Sequence, residues 1–190
     1  MRRFLRKSSV GVEPLAVTMS GVRLGERALQ IGIDSPGIVA TIAAKTGLTG
    51  LATIVVGDET AAKTARAAVA EAGALADVHV VGPPQTLPFA DGAYDVIVLH
   101  AVGGMLSSLA PDVRERMLAE CRRVLRVGGR LVALEPGSPT GVRGLLGGGS
   151  KHDAQYEASG GTTAALEAAG FRAVRALGDR QGCRFIEGLK

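Results

Sequence analysis

The chain is poor in aromatic residues and cysteines, and it contains no long hydrophobic run. Its 190 residues include no tryptophan, two tyrosines and four phenylalanines, so an aromatic surface that stacks nucleic-acid bases is not expected. Cys121 and Cys183 stand alone, without the spacing of a metal site or a disulfide framework. The uncharged stretch 96–111 is too short and too polar to cross a bilayer. No metal site and no membrane span are therefore predicted.

Positive charge is concentrated at the amino terminus. The net charge is +4, and Arg2, Arg3, Arg6 and Lys7 account for all of it, so the rest of the chain is neutral. A neutral body lacks the basic stripe that is typical of nucleic-acid-binding proteins. An arginine pair also opens twin-arginine export signals, but no apolar segment with a cleavage site follows this one. The cytoplasm is the expected compartment.

Short apolar runs alternate with amphipathic stretches along most of the chain. Hydrophobic residues make up 46% and charged residues 21% of the sequence, a composition typical of a folded globular domain. The predicted strands are 27–32, 51–56, 78–81, 94–99, 131–134, 171–177 and 183–186. The predicted helices are 36–46, 59–72, 111–125 and 162–169.

This alternation predicts an α/β fold with a Rossmann-like, doubly wound sheet of seven strands. The sheet should be mostly parallel, with an antiparallel C-terminal hairpin strand whose turn lies at 178–182. Residues 1–26 are interpreted as a basic N-terminal tail and lead-in, and residues 27–190 as a single domain. The glycine-rich segment 137–161 is predicted to be a long loop.

Three segments carry a resemblance to a known family. They read LQIGIDSPGIVATIAAKTG at 29–47, LPFADGAYDVIVLH at 87–100 and CRRVLRVGGRLVALEPG at 121–137. Together with the element order, they make residues 27–188 similar to the class I S-adenosylmethionine-dependent methyltransferases, in the small-molecule branch. The resemblance implies S-adenosylmethionine as the cofactor and methyl transfer to an acceptor that the sequence does not identify.

The resemblance also implies where the cofactor binds, at the carboxyl ends of the first two strands. Gly32 ends the first strand and lets the backbone approach the ligand, and Asp58 aligns with the acid that holds both ribose hydroxyls. Asp58 is also consistent with an ordinary helix start, where acids are favourable to the helix dipole. His100 ends the fourth strand near the expected methyl group, as a candidate general base or as a packing residue. The complete set of predicted cofactor residues is Gln30, Gly32, Asp34, Asp58, Pro84, Gln85 and His100.

Several positions depart from the pattern of the family. Gln30 stands in place of an acid, and Asp34 and Pro36 stand in place of glycines. An aspartate near the carboxylate of the cofactor would repel it, and Pro83 replaces the aspartate that holds the adenine amino group.

Two hypotheses therefore stay open. The chain is a methyltransferase, or it is a non-catalytic methyltransferase-fold subunit that has lost cofactor binding and acts in protein assembly. A nicotinamide-dependent oxidoreductase is disfavoured because the first loop is not G-x-G-x-x-G.

The sequence offers few residues that could form a lid over the acceptor site. Only 26 residues precede the first strand, and no sizeable insertion follows the fourth. A minimal lid suits a large acceptor, a second copy of the chain that covers the site, or no acceptor at all. The expected partners are an unidentified methyl acceptor and either a second copy or a partner protein.

Overall fold

The computed structural model describes residues 14–82, 86–137, 151–180 and 182–190. The strands in these ranges are β1 Arg27–Ile31, β2 Leu51–Val56, β3 Asp77–Val80, β4 Tyr94–His100, β5 Leu125–Pro136, β6 Arg172–Arg180 and β7 Cys183–Leu189. The helices are α1 Leu15–Met19, α2 Pro36–Lys45, α3 Glu59–Glu71, α4 Met105–Ser108, α5 Pro111–Val124, α6 Lys151–Ala158 and α7 Gly161–Ala168.

The strands form one sheet in the order β3-β2-β1-β4-β5-β7-β6. The pairs among β1 to β5 are parallel, whereas β7 is antiparallel to both β5 and β6. The predicted fold class is therefore confirmed. The strand order reverses between β1 and β4, and in open α/β sheets ligands bind at the carboxyl ends of the strands at such a point.

Helices cover both faces of the sheet, which explains why the central strands are apolar throughout. In β4, Val96 and Val98 share a core cluster with Ile42 of α2, whereas Ile97 packs on the opposite face in the cluster of Leu118 of α5. Alternate residues of a strand point to opposite faces, so a strand between two helical layers needs apolar residues at every position.

The segment before β1 contributes to the core. Helix α1 lies within residues 14–26, which were predicted as a lead-in, and it buries Ala16 and Val17. Glu26 forms an ion pair with Arg130 of β5 at 2.8 Å. The basic residues 1–13 lie outside the described part of the chain.

Two local predictions were wrong. The glycine-rich segment 137–161 is not a loop throughout, because Lys151–Ala158 forms α6 and its Tyr156 is buried; residues 138–150 lie outside the described ranges. The predicted turn 178–182 is too long, because β6 continues until Arg180 pairs with Cys183. Gly182 has a φ of +76°, which suits a tight two-residue connection between twisted strands.

Candidate functional site

A cavity of about 240 Å³ lies at the carboxyl ends of β1, β2 and β3. The sheet side of its wall is formed by Ile31, Gly32, Val55, Val56, Gly57, Val81 and Gly82. The opposite side is formed by Met105 and Leu109 at α4, by Met117 and Glu120 of α5, and by Leu87 in the segment between β3 and β4. Because α4 and α5 follow β4, the cavity lies where the strand order reverses, which is where this class of sheet binds ligands.

Glycines follow three neighbouring strands, and all three line the cavity. Gly32 has a φ of +85°, and a Cβ there would lie 2.9 Å from the carbonyl oxygen of His100, so a larger residue does not fit. A Cβ on Gly57 would meet no described heavy atom within 4 Å, and one on Gly82 would meet only the Gly57 oxygen at 3.9 Å. Only Gly32 was predicted from the sequence, although Gly57 and Gly82 also follow apolar runs.

Gln30 and His100 form a buried pair behind Gly32. The Gln30 Nε2 donates to the Val39 carbonyl at 2.9 Å, and the Gln30 Oε1 lies 3.0 Å from the His100 Nε2. The His100 Nε2 must therefore carry a proton and donate it. Burial lowers the pKa of His100 to about 4, so the ring is neutral at pH 7. Neither side chain is among those that line the cavity, and their predicted cofactor and catalytic roles stay predictions.

Asp34 points to the loop that follows β4. One carboxylate oxygen accepts the backbone N–H of Val102 at 2.6 Å, and the other accepts that of Gly103 at 3.1 Å. The two hydrogen bonds stabilise the negative charge that was expected to repel the carboxylate of the cofactor. Sequence reasoning had no means of finding these partners, because they lie 68 and 69 residues away.

Asp58 begins helix α3 as its N-cap, and it directly follows Gly57 of the cavity wall. Its Oδ1 accepts the Ala61 N–H at 2.8 Å. An N-cap of this kind uses one carboxylate oxygen, so the predicted ribose contact is compatible with it. Pro84 and Gln85, the other predicted cofactor residues, lie outside the described residues, as does Pro83.

Glu120 and Arg123 of α5 hold the segment that enters the cavity after β3. Glu120 accepts the Leu87 N–H at 2.9 Å and bonds Arg123 at 2.8 Å, and these hydrogen bonds lower the pKa of Glu120 against the effect of burial. Arg123 also donates to the carbonyls of Leu87 and Phe89, at 3.0 and 2.8 Å, and to Asp91 at 2.7 Å. The residues of the LPFADG segment are thus fixed by side chains on α5, a contact that sequence analysis missed.

A second buried network lies at the end of β5. The Glu135 carboxylate accepts from Thr162 of α7 and from Arg184 of β7, and the Tyr156 hydroxyl of α6 lies 2.9 Å from the Thr162 hydroxyl. Burial raises the pKa of Glu135, although Thr162 and Arg184 oppose this effect. Because both Glu135 oxygens have partners, we interpret the network as a link that holds α6 and α7 to the sheet.

Neither a metal cluster nor a membrane helix is found in the part of the chain that the structure describes. No group of three His, Cys, Asp or Glu side chains there is placed to hold a metal ion. No helix within the same ranges has the length and hydropathy to cross a membrane.

Comparison with known proteins identifies the class of the chain. The family described as "Methyltransferase domain" matches residues 29–133. This match covers more than half of the chain, and the chain therefore belongs to that family, with the fold of the class I S-adenosylmethionine-dependent methyltransferases.

Two curated relatives illustrate the sequence similarity. Both are called ubiquinone/menaquinone biosynthesis C-methyltransferase UbiE. The protein of Psychromonas ingrahamii is 30% identical over 124 residues, 65% of this chain and 47% of the relative. The protein of Ectopseudomonas mendocina is 32% identical over 127 residues, 65% of this chain and 48% of the relative. The chain thus spans about half the length of the curated relatives that it matches.

Solved structures support the same fold. A SAM-dependent methyltransferase from Aquifex aeolicus has a TM-score of 0.67 at 17% identity and covers 92% of this chain and 87% of its own. A Methanosarcina mazei SAM-dependent methyltransferase has a TM-score of 0.64 at 19% identity, and the match covers 95% of this chain and 99% of the other. The structure titled PigF with SAH has a TM-score of 0.60 at 23% identity, and the match covers 87% of this chain and 51% of the other.

Proposed function

We propose that this chain binds S-adenosylmethionine in the cavity at the ends of β1, β2 and β3 and transfers its methyl group to a small acceptor. The observation that carries the proposal is the placement of Gly32, Gly57 and Gly82 side by side on the cavity wall. A Cβ on Gly57 or Gly82 would face open space, whereas Gly32 is held by its positive φ and its close approach to His100. Without side chains, all three let a ligand approach the backbone closely. Membership of the methyltransferase domain family and the fold of a structure titled with SAH support the same ligand.

The residues present fit the parts of this cofactor. Val56, Val81 and Leu87 offer apolar walls for a flat purine ring. The exposed carboxylate of Asp58 lies next to Gly57, where it can accept from ribose hydroxyls. The N-terminus of α2 follows the β1 loop, and the positive end of its helix dipole favours the methionine carboxylate.

When bound, S-adenosylmethionine would supply a methyl group from its positively charged sulfur: the acceptor would bond to the methyl carbon while the carbon–sulfur bond breaks and the neutral thioether product leaves. For such a reaction the protein mainly orients the two reactants. The neutral, buried His100 bonded to Gln30 supports a packing role better than that of a general base.

Calorimetric titration of the full chain with S-adenosylmethionine and with its demethylated product, S-adenosylhomocysteine (SAH), tests the proposal. We expect both to bind, and we expect Gly57→Val to weaken SAH binding at least about tenfold, because the new side chain would stand on the cavity wall where a Cβ meets no described heavy atom within 4 Å. Ala67→Leu on the exposed face of α3 is the matched control, since it adds a side chain outside the cavity. Absence of binding at millimolar SAH would favour the non-catalytic subunit instead.

The methyl acceptor is proposed by its chemical class only. The curated relatives are named as ubiquinone/menaquinone biosynthesis C-methyltransferases, but only about half of their length matches this chain. We propose a small-molecule acceptor, the cytoplasm as the compartment, and a second copy of the chain or a partner protein as the cover of the site. Light scattering of the purified chain, with and without SAH, tests the second copy directly.

A further inference from the structure

Asp34 joins the two loops that leave the sheet at the point where the strand order reverses. It follows β1 by three residues, and its backbone partners Val102 and Gly103 lie two and three residues after the end of β4. The two acceptor distances, 2.6 and 3.1 Å, place both carboxylate oxygens on this one stretch of backbone. Hydrogen bonds to an ionised acceptor are stronger than those between neutral groups.

The stretch that Asp34 holds leads directly into the cavity wall. The Ala101 N–H donates to the Leu134 carbonyl of β5 at 2.7 Å, which anchors the start of the loop. Gly104 then turns the chain with a φ of +78°, and its N–H donates to the Ala101 carbonyl at 3.0 Å. The next residue, Met105, lines the cavity. A change in the backbone at 102 and 103 would therefore displace Met105.

Two effects of the carboxylate oppose each other. Its negative charge disfavours an anionic group of a ligand nearby, but Asp34 is exposed to water, which screens such repulsion. Its two hydrogen bonds hold the backbone in the conformation that forms the wall. The second effect should dominate, because a direct charge-assisted bond acts at contact distance whereas the repulsion acts through solvent.

We propose that Asp34 is a positioning residue of the methyl-donor site, which fixes the loop 101–104 and thereby places Met105 against the ligand. This assignment rests on the proposed function. It predicts that Asp34→Gly, which removes the charge and both acceptors, weakens SAH binding by about tenfold, where an effect of charge alone would strengthen it.

Backbone amide exchange and SAH titration test the proposal together. Without ligand, we expect Asp34→Ala and Asp34→Gly to accelerate hydrogen exchange at the Val102 and Gly103 amides, and with SAH we expect the weaker binding stated above. Gly103→Ala perturbs the same contact from the other side, because its Cβ would lie 3.0 Å from the Asp34 Oδ1. It serves as the second variant should a substitution of Asp34 prevent folding.

Asp112→Asn is the matched control, because it removes an exposed carboxylate that pairs with Arg116 on α5. It should leave both readouts as in the wild type. Unchanged exchange at 102 and 103 in the Asp34 variants would overturn the proposal, as would faster exchange with unchanged or tighter SAH binding. Titration of the wild-type chain tests the proposed function separately: if this chain does not bind SAH, the proposed function is refuted, and this assignment with it.

Discussion

Arg123 Nη2 donates a hydrogen bond of 3.0 Å to the carbonyl oxygen of Leu87, 36 residues earlier in the chain. The same guanidinium binds Phe89, Asp91 and Glu120. The two sequence segments that resemble the small-molecule methyltransferases most specifically are thus in direct contact. Their joint occurrence has a physical reason, because one segment orders the other beside the cavity.

Replacing Arg123 by Met should destabilise the chain and weaken SAH binding. The change removes the guanidinium that donates to two carbonyls and two carboxylates, and we expect a loss of about 2 to 3 kcal/mol in the free energy of unfolding. Urea denaturation measures this loss. Arg116→Met is the control, since its exposed pair with Asp112 should contribute less than about 1 kcal/mol. Equal losses in the two variants would contradict this role of Arg123.

Replacing Gln30 by Glu should be costly at neutral pH. Gln30 is fully buried, and an ionised carboxylate at its position would lose the bond that the Gln30 amide donates to Val39. We expect a destabilisation of roughly 2 to 4 kcal/mol at pH 8. Since burial raises the pKa of a carboxyl group, the penalty should be smaller at pH 5, where protonation removes the charge. Denaturation at the two pH values measures it, and a penalty independent of pH would count against this explanation.

The stability of the chain should fall between pH 6.5 and about pH 4 because of His100. Burial lowers its pKa from 6.5 to about 4, so in this window the unfolded chain binds a proton that the folded chain does not. The folded state is therefore favoured above pH 6.5 and loses roughly 3 kcal/mol as the pH falls to about 4. Urea denaturation across this window gives the free energy of unfolding at each pH, and it should depend less steeply on pH in His100→Asn than in the wild type. An unchanged slope would assign the dependence to other groups.

Substitution of Asp58 by Asn separates its N-cap role from the ribose contact that we propose for it. Asparagine is as good an N-cap as aspartate, so the free energy of unfolding should stay within about 0.5 kcal/mol of the wild type. SAH binding should weaken by roughly ten- to a hundredfold, equivalent to about 1.5 to 3 kcal/mol, because a carboxylate acceptor for the ribose is lost. Calorimetry and urea denaturation provide the two measurements. A loss of affinity below threefold would leave Asp58 as a helix cap alone.

The order of the strands and of the four predicted helices was accessible from sequence because it depends on local patterns. Apolar runs such as 51–56 and a terminal pair of strands are recognisable within a few residues, and the resemblance at 87–100 and 121–137 placed them in a known sheet order. Helices α1 and α6 were missed for the converse reason. Their Val17 and Tyr156 are buried only because distant elements pack on them.

The class of fold, the glycine after β1 and the acidic residue after β2 follow from local sequence patterns. The contacts of Asp34, Gln30 and Glu120 depend on folding, because each of these side chains bonds a residue on a distant segment. Asp34 is an example. From its neighbours in the sequence it was expected to repel the carboxylate of the cofactor. In the fold, the same carboxylate accepts hydrogen bonds from two N–H groups 68 and 69 residues away and joins two loops. Only folding brings such groups within the roughly 3 Å over which a hydrogen bond acts.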